Sequence, residues 1–315
     1  MKFYTLIHIC REEKSMHNNA FTRNFEEQIK LYLDCAKQFH RSLAAEGFDL
    51  VVLTNDKALL EKLNDDNYPI EITQLHFQMH VPSGIKFYSA HFKLEVYSYL
   101  ASLNEEYVAL VDSDMLCVNK MPEALKTIVA QKLPLYYDIT EQVTPAYGAE
   151  IIQQDKERIT GEPSIGLWAG GEFLAGPPSF FALMAEEITT VKEAYWQNVN
   201  TLHHQGDEVL TSVAVEKIKR QGKAPLLDAG VLSAVGRYWS YVPLHVQKPM
   251  KGYSAHFLLH LPSDKKFITR LQPDEMKGAV FFKKYGRHLS LSRTMETVFK
   301  NIKPYAKRIR KKLAI

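Results

Sequence analysis

The chain of 315 residues is 46% hydrophobic and 24% charged, which allows one large α/β unit or two smaller ones and excludes a disordered or fibrous chain. A net charge of +3, without a basic patch interleaved with aromatic residues, excludes nucleic acid as a partner. Three scattered cysteines, Cys10, Cys35 and Cys117, exclude a disulfide framework, and no run reaches the ~20 apolar residues of a membrane span.

Phe3–Cys10 reads as a first core strand, too short and too soon followed by charge for a signal peptide, so the protein is expected in the cytoplasm. Phe21 to Glu46 has the periodicity of a long amphipathic helix ended by Gly47. Phe48–Leu53 is a second strand, closing on the turn and N-cap cluster Thr54-Asn55-Asp56. A short helix and a strand near Ile70–Leu75 follow. Phe87 to Leu103 reads as a helix whose register puts Lys86, Lys93 and Tyr97 near one face. Tyr107–Val111 is continuous and β-branched, as a strand buried on both faces should be.

Residues 139–165 are polar and punctuated by Pro and Gly, which predicts an irregular, acceptor-facing excursion. Pro177 opens a helix through about Trp196, and Asp207 to Arg220 is a helix stopped by Gly222. Leu226-Leu227-Asp228 and Tyr253–Leu259 read as late strands. This alternation predicts a mostly parallel sheet flanked by helices. Seven of the 39 basic residues follow Glu296 with no acid among them, which leaves 32 against 36 acids and a net −4 over residues 1–296. Apolar positions at roughly helical spacing make residues 289–315 a basic amphipathic helix suited to an anionic membrane surface.

The chemistry concentrates in four places. Asp112-Ser113-Asp114 sets two carboxylates at the carboxyl end of a buried strand, where open α/β sheets bind ligands. Mg²⁺ and Mn²⁺ take one or two carboxylates from protein and the rest from a substrate diphosphate. His260, at a strand end with Lys266 and Phe267 after it, can offer an imidazole to the metal and an ammonium to its phosphates. His256 lacks the six-residue spacing to Lys266, so His260 is preferred. Trp168-Ala169-Gly170-Gly171-Glu172 reads as a strand–turn whose glycines allow close backbone approach. Asp207 and Glu208 open a helix after His203-His204, where capping favours Asp207 and leaves Glu208 freer for chemistry.

With these residues in hand, the chain resembles glycosyltransferases of the GT-A fold. Tyr88–Leu94 followed by the strand into Asp112-Ser113-Asp114 looks like that fold's donor half. His260, Lys266 and Phe267 resemble the His-x-x-Gly-x-x-Lys-Pro-Trp motif of the glycogenin and lipooligosaccharide galactosyltransferase family, with Ser263 in place of the glycine and no proline. The Trp168–Gly176 and Asp207-Glu208 stretches look like segments of the blood-group galactosyltransferase family, with Gly206 where that family has His. Both families are retaining enzymes that use UDP-sugars and Mn²⁺.

The resemblance implies a GT-A domain over 1–288, with a nucleotide-binding half at 1–135, an acceptor half at 136–288 and the basic helix after it. It implies that Asp112, Asp114 and His260 hold Mn²⁺ or Mg²⁺. Asp114, nearer the strand's exit, is the expected direct ligand. Lys93, Asp112, Ser113 and Lys266 would contact the donor, with the nucleoside near His8, Thr54 and Asp56. Trp168, Gly170, Gly171 and Glu172 would line the sugar and acceptor site, and Glu208 and Asp207 would serve catalysis.

The expected function is a hexosyltransferase, retaining by that resemblance. It would extend a bacterial surface glycan or glycolipid, such as lipopolysaccharide or capsule, from the inner face of the membrane. A sugar nucleotidyltransferase should carry a glycine-rich phosphate loop after the first strand, and Arg11 to His17 has no glycine. A non-catalytic sugar-nucleotide-binding domain is the other alternative, and the intact Asp112, Asp114 and His260 count against it.

Overall fold

The computed structural model describes residues 1–11, 24–240 and 245–291. Most of the Arg11–His17 stretch and nearly all of the basic tail lie outside the described residues.

The strands are β1 (Lys2–Ile7), β2 (Leu50–Thr54), β3 (Glu71–Gln74), β4 (Val108–Val111), β5 (Met115–Cys117), β6 (Leu135–Asp138), β7 (Ala169–Gly176), β8 (Leu227–Asp228), β9 (Val235–Arg237) and β10 (Leu258–His260). The helices are α1 (Phe25–Ala44), α2 (Lys57–Leu63), α3 (Lys93–Ala101), α4 (Glu123–Ala130), α5 (Thr140–Tyr147), α6 (Ala149–Thr160), α7 (Pro178–Asn198), α8 (Asp207–Arg220) and the short α9 (Lys265–Ile268). A further helix occupies 278–291.

Among the described residues, seven strands form one mixed sheet in the order β3-β2-β1-β4-β7-β6-β8. The first four are mutually parallel, and only β7 runs against its neighbours β4 and β6. β4 is apolar and buried throughout, as a strand covered by helices on both faces must be, and β1 is buried at Phe3, Tyr4, Thr5 and Ile7. The chain winds outward from β1 through β2 and β3, then returns to place β4 on the other side of β1. That reversal is a topological switch point, and it opens a crevice at the carboxyl ends of β1 and β4. His8 and Asp112 follow those two ends.

α1 is capped by Asn24, whose side chain accepts from the Glu27 amide at 2.9 Å. Its Ile29, Leu33, Ala36, Phe39 and Leu43 stripe joins the main core, while Leu31 and Cys35 join a second cluster. The second cluster covers one face of a small sheet in the order β5-β10-β9, through Leu116 and Leu259, and takes Phe281, Tyr285 and Leu289 from the last helix. In that sheet Met115 opposes His260, and His260 opposes Arg237. Three distant stretches therefore reach one level beside Asp114.

Three expectations need correction. Residues 139–165 are not an irregular excursion, since α5 and α6 occupy most of them despite Pro145 inside α5. Their apolar face, including Val143, Ile152 and Ile159, is buried in the main core, and this packing outweighs the local breakers. The last strand is shorter than Tyr253–Leu259, because Met250–Tyr253 is a 3₁₀ turn and pairing starts at Leu258. The Phe87–Leu103 helix is split, with a 3₁₀ turn over Tyr88–Phe92 before α3. No described helix is long and apolar enough to cross a membrane.

Candidate active site

A cavity of about 520 Å³ opens at the switch point, and Asp112, Ser113, Asp114, Lys93, Asp207, Glu208, Arg237 and His260 reach it. Asp112, Asp114 and His260 each bring one ligand atom to a cluster spanning no more than 4.8 Å. His260 Nε2 lies 3.2 Å from Asp114 Oδ1 and 3.6 Å from Asp112 Oδ2. Two carboxylates and one imidazole are a donor set that Mn²⁺ or Mg²⁺ accepts. The buried His260 Nδ1 has no hydrogen-bond partner among the described residues. It lies 3.5 Å from Glu172, which can fix the ring as outer partners of ligating histidines do. The residues thus fit a divalent cation. His256 stands apart and lines a different cavity.

Each aspartate also carries a lysine. Lys93 pairs with Asp112 and donates to the Gly171 carbonyl at 3.0 Å. Lys265 pairs with Asp114 at 2.6 Å. Lys266, the lysine singled out in the sequence, is exposed, and its neighbour in α9 turns into the cavity instead. Burial opposes charge on Asp114, but Lys265 and His260 outweigh it and hold the carboxyl well below the usual range. Burial likewise opposes charge on His260, yet Asp114 and Glu172 hold its pKa up to about 9.

On the far wall the two helix-opening acids differ in the opposite sense to that expected. Gly206 is the N-cap of α8, so Asp207 is its first residue and not the cap. Glu208 is held on both oxygens. Oε2 accepts from Trp168 Nε1 at 3.0 Å, and Oε1 accepts from the Gly171 amide at 3.3 Å and from Arg237 at 3.2 Å. Burial would raise its pKa, but Arg237, His204 and these donors bring it down to about 2. Asp207 is the less restrained acid. Its Oδ2 is buried without a hydrogen bond among the described residues and lies 3.7 Å from Lys93. Burial, reinforced by Glu208 and Asp112 and opposed by Lys93, raises its pKa to about 7.

The glycines make this crowding possible. A Cβ on Gly171 would stand 2.9 Å from Asp207 Oδ2, and one on Gly170 would stand 2.2 Å from Glu172 Oε2. Glu172 is fully buried beside Arg237 at 3.5 Å rather than lining open space. Trp168 is buried too, stacked on Tyr147 at 5.7 Å and donating to Glu208. Phe87 sits at the mouth, 40% exposed and stacked on His204 at 5.2 Å. Its φ of +58° is a costly conformation for a residue with a bulky side chain.

A neighbouring cavity of about 720 Å³ lies beyond the ends of β1, β2 and β3, and His8 lines both spaces. The His8 ring is stacked on Phe92 at 3.7 Å, and burial brings its pKa down to about 4. Asn55 rather than Thr54 or Asp56 lines this second space. Thr54 is fully buried, with its hydroxyl accepting from the Asp56 amide, and Asp56 caps α2 by accepting from the Leu59 amide at 3.0 Å.

Arg237 and Lys265 were not singled out in the sequence. For Arg237 one signal existed, a lone charge inside the apolar run from Ala234 to Trp239. For Lys265 there was none, because adjacent lysines are indistinguishable until the turn of α9 is known.

No family model matches the chain, and no curated protein does. Among solved structures, mouse xyloside xylosyltransferase 1 in its apo form is similar at a TM-score of 0.45 and 10% identity, over 84% of this chain and 98% of that one. The galactosyltransferase LgtC, in complex with donor and acceptor sugar analogues, is similar at a TM-score of 0.46 and 11% identity, over 83% of this chain and 87% of that one.

Proposed function

We propose that the protein is a metal-dependent glycosyltransferase of hexosyl type that uses a nucleotide-diphosphate sugar, in our reading a UDP-sugar. The observation that carries this is the meeting of Asp112, Asp114 and His260 at the switch point, with a lysine on each aspartate. A divalent cation held there would supply Lewis-acid stabilisation of the departing diphosphate. Lys265 adds a fixed positive charge on the same side, and Lys93 keeps Asp112 and Asp207 apart in charge. The nucleoside extends past His8 into the neighbouring cavity, within the 1–135 half, while 136–288 supplies the sugar and acceptor walls.

Breaking the anomeric bond develops positive charge on the sugar, and the permanently ionised Glu208 faces that charge. The acceptor oxygen bonds to the anomeric carbon on the face that the diphosphate leaves, as retention requires, and Asp207, with a pKa near the working pH, takes its proton. Retention of configuration is supported by the motifs of the two families the chain resembles, and proton NMR of the fresh product reads it directly. The acceptor is a glycan or glycolipid of bacterial lipopolysaccharide or capsule in our reading, met at the inner face of the membrane by the tail. Deleting residues 297–315 should then weaken binding to phosphatidylserine vesicles in a sedimentation assay, and unchanged binding rejects the membrane role.

The enzyme reading is tested with a panel of UDP-sugars and Mn²⁺, scoring hydrolysis and transfer. Turnover is expected, and Asp112→Ala with Asp114→Ala should abolish both it and nucleotide binding. Lys265→Met should lower turnover by about tenfold or more, with Lys266→Met near neutral. Metal-dependent UDP binding without turnover of any donor would make the chain a binding domain instead.

A further inference from the structure

Behind the acceptor wall lies a separate cavity of about 690 Å³, which the donor chemistry does not use. Adjacent residues face the two spaces. Val143 and His245 line the reaction cavity, while Gln142 and Val246 line the one behind. The wall is also bonded through, because Gln142 Nε2 donates to the Tyr137 hydroxyl at 3.0 Å and the Arg237 amide donates to the same oxygen at 3.1 Å.

The chemistry of this second space is that of a sugar site. Three of the six large apolar side chains exposed among the described residues, Ile165, Val231 and Val246, stand around it. Such clustering marks a surface that is covered in use. Inside, Gln142 Oε1 and His256 Nδ1 are buried with no hydrogen-bond partner among the described residues. Buried polar atoms of this kind call for a ligand that brings its own hydroxyls. Carboxylates from Asp138, Glu141 and Asp228 face two lysines, Lys219 and Lys248, so a polyanion is disfavoured. The lining also mixes these charged groups with its apolar residues, which disfavours a bare alkyl chain. A neutral oligosaccharide satisfies both parts, with ring C–H faces on the apolar rim and hydroxyls on the interior groups, and the volume is that of an ordinary ligand site.

We propose that this cavity binds the distal, neutral sugars of the acceptor glycan, whose reacting end passes over the rim, where His245 lines one space and Val246 the other, to Asp207. The inference rests on the glycosyltransferase reading for the word acceptor, but the binding itself is measured separately. Binding at a distance from the reacting centre is how a transferase sets acceptor length without touching the bond it makes.

The test uses the full chain on a glycan microarray carrying neutral oligosaccharides of bacterial lipopolysaccharide cores and capsules, with calorimetry of UDP and Mn²⁺ in parallel. Capture of oligosaccharides but not of single sugars is expected, and it should persist when UDP and Mn²⁺ are saturating. Val231→Arg and Val246→Asp, both at exposed positions, should each weaken capture by about tenfold or more and leave UDP binding unchanged. The proposal is overturned if the array retains no oligosaccharide, or if both variants retain it as the unaltered chain does. Failure of UDP and Mn²⁺ to bind the unaltered chain would count against the donor reading alone.

Discussion

Arg237→Ala should destabilise the fold by about 3–5 kcal/mol at neutral pH, because it strips a buried charge from two buried carboxylates at once. Arg237 lies 3.2 Å from Glu208 and 3.5 Å from Glu172, and all three side chains are largely shut off from water. The loss should depend on pH in a defined direction. In the unaltered protein Glu208 is held at about 2, so its contribution is fully present above the ordinary carboxyl range and fades only as pH falls toward 2. Without Arg237, burial raises the carboxyl above that range, and the cost then grows as pH rises through the raised value. Urea unfolding at about pH 7.5 and about pH 5 should show the larger deficit at the higher pH. An equal deficit at both would mean that Arg237 acts by packing and not by charge.

Asp207→Asn should lower kcat by about 10²–10⁴-fold at slightly alkaline pH, the range for loss of a general base. On the proposed reading, the activity of the unaltered protein should climb as pH rises through about 7, because a protonated Asp207 cannot accept a proton. The asparagine variant should lose that rise along with the rate. UDP binding should change little, since Asp207 lies beside Lys93 rather than in the aspartate–histidine cluster. A pH–rate profile of both proteins checks this, and a limb near 7 that survives in Asp207→Asn would assign the proton to another group. Glu208→Gln should behave differently, lowering the rate without moving the limb.

Local signals carried much of this molecule. β4 was legible because a strand buried on both faces must be continuously apolar, and α8 because Asp207 and Gly222 mark its ends. What escaped was set at long range. β6, β9 and the reversed direction of β7 depend on which neighbours a short apolar run finds, and no period in the run records that. α5 and α6 read as irregular because Pro145 and Gly148 break the local pattern, while the burial that holds them comes from the sheet. In the site, the two aspartates and His260 were accessible through residue type and strand-end position. The contrast between a tethered Glu208 and a less restrained Asp207 was not, because it turns on Trp168, Gly171 and Arg237 converging on one carboxylate.

The pairing of β5 with β10 has a consequence for biosynthesis. Asp114 and His260 are 146 residues apart, yet they meet because Met115 and His260 sit opposite each other in one ladder. While the ribosome is still short of β10, a nascent chain holds both aspartates but lacks the imidazole and Lys265. Closing so large a loop is slow, and it must precede every contact it enables. On the proposed reading, metal capture would therefore become available only near the end of translation, and a chain stalled or clipped before residue 258 would hold every strand of the seven-stranded sheet but lack the His260 side of the site.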